Sequence, residues 1–501
     1  MNACLLPLLI LATTSAQPKD DALPWVEVAK DKKSFVLNPS GKPFVPWGFN
    51  YDHDASGRLI EDYWDAEWKS VETHFAQMEK LGANVVRIHL QLGKFMQGAD
   101  KPNQAALDRL GKLLALAERH RLHLDLTGLG CYHKKDVPAW YDKLSEKVRW
   151  NVQARFWQAV ATRCADSPAV FCYDLMNEPV VPGGKREDGD WLGPPFAGSH
   201  FVQFITLDQA GRPRPSIAQA WLHHLAAAIR EKDRRHLITV GLVDWSLDRP
   251  GLTSGFVPDK VAADLDFICV HIYPKKGKLD EALQTLAGFA VGKPVVIEEM
   301  FPLQCSAQEL EEFIDRSKKH AAGWIGFYWG KPPDELRRSG TIGDAMTLAW
   351  LELFERRAKQ LRQDSQPRKH EKEARMTCGL LIERTPVGAG NAPKAYLQLR
   401  NTSKETIQVI YKCDPLEYLD IDVIDPTGKK INDSHYLVGG PFERPQVLSL
   451  IPGGVYRFPI NVFGTCEKTP TAPGVYKFTA SYTYKDIRAV AQTLEFTVMK
   501  K

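Results

Sequence analysis

The chain has 501 residues, 44% of them hydrophobic and 25% charged, enough to bury a large core. A (β/α)8 barrel alone takes roughly 250 residues or more, so two domains fit this length better than three. Lys and Arg total 65 against 61 Asp and Glu, for a net charge of +4. No basic stripe interleaved with aromatics accompanies that balance, which argues against a nucleic-acid partner.

The N-terminus opens with an apolar run, Leu5 to Ala12, too short to span a bilayer, followed by Thr14-Ser15-Ala16. That pattern predicts a signal peptide over residues 1–16, a mature chain beginning near Gln17, and a secreted, periplasmic or cell-surface location. No later stretch has the length and apolarity of a membrane helix.

From about residue 40 to 365 a short apolar run, a turn and an amphipathic helix alternate, which predicts parallel βα units. The candidate strands are Phe44 to Phe49, Asn84 to Leu90, Leu122 to Leu126, Val170 to Met176, Leu237 to Leu242, Phe267 to Ile272, Pro294 to Ile297 and Gly323 to Tyr328. Helices are expected over Glu67 to Leu81, Gln104 to Arg121, Ser216 to Lys232, Ala307 to His320 and Ala345 to Leu361, each with apolar residues at three-to-four spacing. Eight strands close a barrel, giving an α/β fold of the (β/α)8 type over residues 17–362. A doubly wound open sheet is the competing arrangement, but no glycine-rich phosphate loop follows the first strand.

Residues 363–375 (QDSQPRKHEKEAR) are almost wholly polar and read as a linker. Beyond it, over 376–501, short β-rich segments alternate with turns such as Pro426-Thr427-Gly428 and Pro473-Gly474, the pattern of an all-β immunoglobulin-like sandwich. Nine cysteines are scattered through the chain, none at metal-ligand spacing. Cys164 could pair with Cys172, and Cys413 with Cys466, in an oxidising compartment; buried free thiols are the equal alternative.

In a parallel barrel, functional side chains gather where the strands end, because all eight C-terminal edges open on one face. The fourth strand ends in Asp174-Leu175-Met176-Asn177-Glu178-Pro179 and the seventh in Val296-Ile297-Glu298-Glu299-Met300. Two carboxyl groups on one rim are what hydrolysis of a glycosidic bond requires, one to protonate the leaving oxygen and one to attack or activate water.

Asn-Glu-Pro after a fourth strand and a Glu closing a seventh resemble the clan A glycoside hydrolases, most of all family 5, the cellulase and mannanase family. The resemblance covers roughly residues 35 to 360. It implies a retaining hydrolase of β-glucan or β-mannan type, with Glu178 as acid/base, Glu299 as nucleophile, an oligo- or polysaccharide substrate, and neither cofactor nor metal. It further implies that Arg87 binds near the nucleophile, that Asn177 meets the sugar 2-hydroxyl, that His271 lines the site and Tyr273 supports the nucleophile, and that Trp329 forms a sugar platform. Glu299-Met300-Phe301 departs from the family's usual Glu-aromatic-Gly, and Thr127 stands where a His commonly ends the third strand, with His133 shortly after.

Because strand residues alternate in direction, only one of Glu298 and Glu299 is expected at the barrel mouth, and the family pattern favours Glu299. Trp47, Asn50, Tyr51, His133, Asp244 and Trp245 lie near strand ends as weaker candidates. The Gly- and Pro-rich segment Val180 to Arg214 either walls the cleft or decorates the surface. Thirteen Trp and 15 Tyr offer flat faces for sugar rings, although packing accounts for most of them. Rival readings are a sugar-binding barrel without turnover, a transglycosylase using the same two residues, and a scaffold acting through its C-terminal domain. Oligomeric state has no signature in the sequence.

Overall fold

A computed structural model of the chain describes residues 22–54, 56–328, 330–365, 376–383, 385–412, 419–432, 446–463, 466, 469–484 and 487–500. The expected signal peptide, most of the expected linker, Trp329 and Cys413 lie outside them. The chain divides into two compact units, residues 1–366 and 367–501.

The first unit is built on eight parallel strands: β1 (Trp47–Asn50), β2 (Val85–Gln91), β3 (His123–Gly130), β4 (Val170–Asn177), β5 (Leu237–Val243), β6 (Ile268–His271), β7 (Val295–Glu299) and β8 (Gly323–Phe327). They pair in chain order, and β8 pairs back onto β1, closing the barrel. Helices cross between them, including Trp68–Leu81, Gln104–Arg119, Glu146–Cys164, Arg214–Arg230, Ala307–Ser317 and Ile342–Ser365. Their ends follow local chemistry. The Asn103 side chain accepts from the Ala105 amide at one N-terminus, and Ser306 with Glu309 closes a reciprocal capping box at another. Gly82, at φ +102°, ends Trp68–Leu81 in the left-handed region that a side chain disfavours.

Three differences from the sequence expectations have local causes. The first barrel strand begins at Trp47 rather than Phe44, because Pro46 has no amide to donate into the ladder. Phe44 belongs instead to a three-stranded antiparallel sheet formed by Trp25–Val28, Phe35–Asn38 and Lys42–Phe44. Phe35 packs edge-on against Phe171 and Phe267, each 5.3 Å away, in one cluster with Val85, Leu237 and Val296, so this sheet covers the end where the strands begin. The third strand continues past Leu126 to Gly130, which puts Thr127 inside the barrel rather than at its lip. The last helix runs to Ser365, past Gln363.

In the second unit every described strand pairing is antiparallel. Met376–Ile382, Lys394–Asn401 and Val455–Asn461 form one sheet, and Leu419–Ile424, Gly474–Tyr484, Ile487–Val490 and Leu494–Val498 another. Leu397 and Leu399 of the first and Val423, Phe478 and Phe496 of the second belong to one buried cluster. Cys164 and Cys172 are both buried free thiols, so that pair is not bridged.

Candidate active site

Arg87, on β2, organises the C-terminal end of the barrel. Its side chain is fully buried. Nη1 donates to Glu299 Oε1 at 2.7 Å and to Asn50 Oδ1 at 2.9 Å; Nη2 donates to Asp174 Oδ2 at 2.8 Å and to Asn177 Oδ1 at 3.0 Å. Nη2 also faces Glu298 Oε2 at 3.4 Å. A guanidinium is the group for this position, since its planar fork serves several acceptors at once and stays charged when buried.

His271, at the end of β6, bridges the acids. Its Nδ1 lies 2.9 Å from Glu178 Oε1 and 3.6 Å from Glu299 Oε2, and its Nε2 lies 3.2 Å from Glu298 Oε2. Burial works against a charge on this ring, but the Glu299 carboxylate and the bonds to Glu178 and Glu298 outweigh it and raise the imidazole to about 10. It is therefore an imidazolium donating from both nitrogens. Tyr273 donates its hydroxyl to Glu299 Oε2 at 2.7 Å. Burial and the adjoining Glu299 charge push that phenol well above its ordinary range, so it remains a neutral donor.

Carboxylate oxygens of Glu178 and Glu299 and a ring nitrogen of His271 all fall within 4.8 Å of one another. A second trio, Asp125, Asp174 and Glu298, meets the same limit deeper in the barrel. Arg87 and His271 place positive charge against Glu178, Glu299, Asp174 and Glu298.

Of the paired acids on β7, Glu299 keeps partial exposure at the barrel mouth and Glu298 is fully buried beneath it. Glu298 and Glu299 both face Arg87 and His271. Strict alternation fails because the register slips here: Val270 pairs with Ile297 while His271 pairs with Glu299, so one residue of β7 is left without a partner. Glu178 is displaced from regular strand geometry too, with φ +47° in the left-handed region.

Arg87, Asn177, Glu178, His271, Tyr273 and Glu299 thus converge, while Trp329 is outside the described residues. Among the weaker candidates, Asn50 joins the network through Arg87 and also donates to the Glu298 carbonyl at 2.7 Å. Trp47 instead stacks on Phe354 in the core, Tyr51 accepts from the Tyr63 hydroxyl, and His133 is held by the Gly57 carbonyl. Asp244 and Tyr273 line a cleft of about 640 Å³ with Arg249, Lys275 and Lys278. Thr127 donates to Asp174 Oδ2 at 2.7 Å, serving the network from below.

The segment after β4 is fastened to the site. Pro179–Val180 pairs with Gln203–Phe204, and the Phe201 carbonyl accepts from Asn177 Nδ2 at 3.0 Å. Sequence reading passed over Asp125, Asp174 and Gly241. A Cβ on Gly241 would lie 3.0 Å from His271 Nε2, 3.1 Å from Glu298 Oε2 and 3.2 Å from Arg87 Nη2, so the network packs on bare backbone there. The available signal was acidic residues inside apolar strand runs, because a buried charge requires a partner.

A closed parallel barrel carrying paired glutamates on its C-terminal rim defines a class of glycoside-cleaving folds, and the comparisons narrow it. The family model described as Cellulase (glycosyl hydrolase family 5) matches residues 37–332, and the chain belongs to that family. Curated relatives include mannan endo-1,4-beta-mannosidase A from Podospora anserina, 24% identical over 42% of this chain and 52% of that protein. Mannan endo-1,4-beta-mannosidase 3 from Oryza sativa is 25% identical over 49% of this chain and 54% of its own length. The chain spans about half the length of the curated relatives it matches. Among solved structures, the exo-beta-1,4-mannosidase Op5Man5 from an Opitutaceae bacterium superposes with a TM-score of 0.50 at 16% identity, over 68% of this chain and 63% of that one, a likeness of fold.

Proposed function

We propose that the protein is a retaining O-glycosyl hydrolase that cleaves β-linked glycans, with β-1,4-mannan as its substrate class. The observation that carries this reading is the closeness of Glu178 and Glu299: Glu178 Oε1 lies 2.9 Å and Glu299 Oε2 3.6 Å from the same His271 Nδ1. Inverting enzymes keep their two carboxyl groups roughly 6.5–9.5 Å apart to admit a water molecule, whereas retaining enzymes hold them at about 5–5.5 Å. The names of the curated relatives support mannan over glucan.

In this mechanism Glu299 attacks the anomeric carbon, its oxygens aimed by Arg87 and Tyr273. Glu178, held through Oε1 by His271, protonates the leaving oxygen and then deprotonates the water that releases the sugar. Asn177 is fixed by Arg87 and by the Phe201 carbonyl, and so presents its amide to the sugar beside the nucleophile. Trp329, two residues after the β8 segment in sequence, is the aromatic platform that the family resemblance implies. The apolar N-terminal segment directs export, the polar stretch after the Ile342–Ser365 helix leads into the second domain, and the C-terminal sheets with their shared cluster form an immunoglobulin-like sandwich.

Reducing-sugar release by the purified protein on mannan, glucan and xylan, beside its Glu299→Ala variant, tests the reading. Release from mannan by the wild type alone is the expected result. Equal release by both proteins, or none from any β-glycan, would overturn it.

A further inference from the structure

Beneath the site lie buried acid oxygens that the ion pairs do not account for. Asp125, on β3, is fully buried, and neither of its carboxyl oxygens accepts an N–H or O–H hydrogen bond, the weakly donating Cys172 thiol being beside it. Glu298 Oε1, on β7, is also buried and also lacks one. These acids and Asp174 bring oxygens within 4.8 Å of one another.

Most of the neighbouring donors are committed elsewhere, and Arg87 Nε, buried like Asp125, makes no hydrogen bond to it. Arg87 serves Asn50, Glu299, Asp174 and Asn177, while the Thr127 hydroxyl and the Gly241 amide both donate to Asp174. Burial and the Glu298 charge raise Asp174 to about 6, but it accepts three hydrogen bonds, two of them from Arg87 and Thr127 that pull it back, and it remains an anion at neutral pH. Asp125 has nothing comparable, only a thiol beside it, and two buried carboxylates cannot face each other fully ionised.

We propose that Asp125 is a positioning residue that keeps a proton at neutral pH and donates it to Glu298 Oε1. A single proton there relieves the unpartnered oxygens on both sides of the contact. The proton belongs to Asp125 because Glu298 Oε2 already faces two cations, His271 Nε2 at 3.2 Å and Arg87 Nη2 at 3.4 Å. The groups acting on Asp125 are Arg87 from β2, Cys172 and Asp174 from β4, Cys269 from β6 and Glu298 from β7. Both thiols are kept neutral by burial. For Asp125, burial and the Glu298 charge act upward and outweigh Arg87; Glu298, despite burial, is drawn down to about 2 by Arg87, His271 and the bond from Asp125.

The consequence reaches the chemistry through His271. Glu298, fixed as an anion with Oε2 toward the imidazole, keeps that ring charged and its Nδ1 directed at Glu178. This last step rests on the glycosidase reading; the protonation of Asp125 does not.

The experiment is infrared difference spectroscopy of the resting protein against Asp125→Asn at neutral pH, followed by pH–rate profiles on mannan. The wild type is expected to show the carbonyl stretch of a protonated carboxylic acid that the variant lacks. Loss of a carboxylate band instead would overturn the proposal, whether or not the protein cleaves any glycan. Asp125→Asn, neutral and still a donor, is expected to keep its kcat and the position of its basic limb, while Asp125→Leu, with no donor, loses about 10-fold in kcat. A shift of the basic limb by about one pH unit in Asp125→Asn would mean that a charge had been removed, and would contradict the proposal. Should Asp125→Asn fail to fold, carbon-13 labelling of the wild-type aspartates gives the same answer: one carboxyl resonance in the protonated range supports the proposal, and none overturns it.

Discussion

The mouth and the floor of the barrel hold the same kinds of charged groups under opposite constraints. At the mouth, the side chains of Glu178 and Glu299 keep 18% and 12% of their exposure; on the floor, Arg87, Asp174 and Glu298 keep none. A carboxyl at the mouth can exchange a proton with a substrate or a water. One on the floor must be matched permanently by a cation, a donor or a proton, because solvent cannot help it. The barrel therefore divides its labour by depth, with reacting groups above and fixed groups that aim them below.

Substitutions at the two levels should differ in kind. Glu299→Ala at the mouth is expected to lower kcat by about 10⁴-fold or more with an unchanged melting temperature, as removal of a covalent nucleophile does. Glu178→Ala should cost about 10²–10⁴-fold, and less on aryl glycosides whose leaving groups need no proton. Arg87→Met on the floor should instead destabilise the fold, by about 3–5 kcal/mol in denaturant titration, since it leaves buried carboxylates without their counter-ion. Gly241→Ala separates the levels: its Cβ would displace His271, Glu298 and Arg87 by tenths of an ångström, so kcat should fall by up to about 10²-fold while the protein stays folded.

The smallest effect should be on the pH dependence of stability. His271, ordinarily near 6.5, is raised to about 10 in the folded protein, so its contribution is complete below 6.5 and is lost as pH rises through about 10. Glu298 acts oppositely, contributing above 4.5 and losing its effect as pH falls through about 2. Melting curves of His271→Gln should show a weaker decline across the alkaline window than the wild type.

The sequence made the mouth easier to read than the floor. Asn177, Glu178, His271, Tyr273 and Glu299 each stand at or near the end of an apolar run, and a barrel brings all such ends to one rim; Arg87, on the floor inside its run, is reached through the family resemblance. Asp125 and Asp174 sit inside their runs, where an acid looks like an interruption, and they make sense only once facing strands bring Arg87 between them. That Glu298 shares Arg87 and His271 with Glu299 was not legible, because a register slip between neighbouring strands leaves no trace in either strand alone. The eight strands and most helices were legible from apolar periodicity. The sheet covering the barrel's lower end was not, since its short segments carry no helix-alternating pattern.

The central claim is double displacement by Glu299 and Glu178, and the most direct measurement is the anomeric configuration of the first sugar released. Proton NMR of early hydrolysis on a β-mannooligosaccharide should show the β-hemiacetal first, with the α form growing in only by mutarotation. An α-hemiacetal as the initial product would contradict the account.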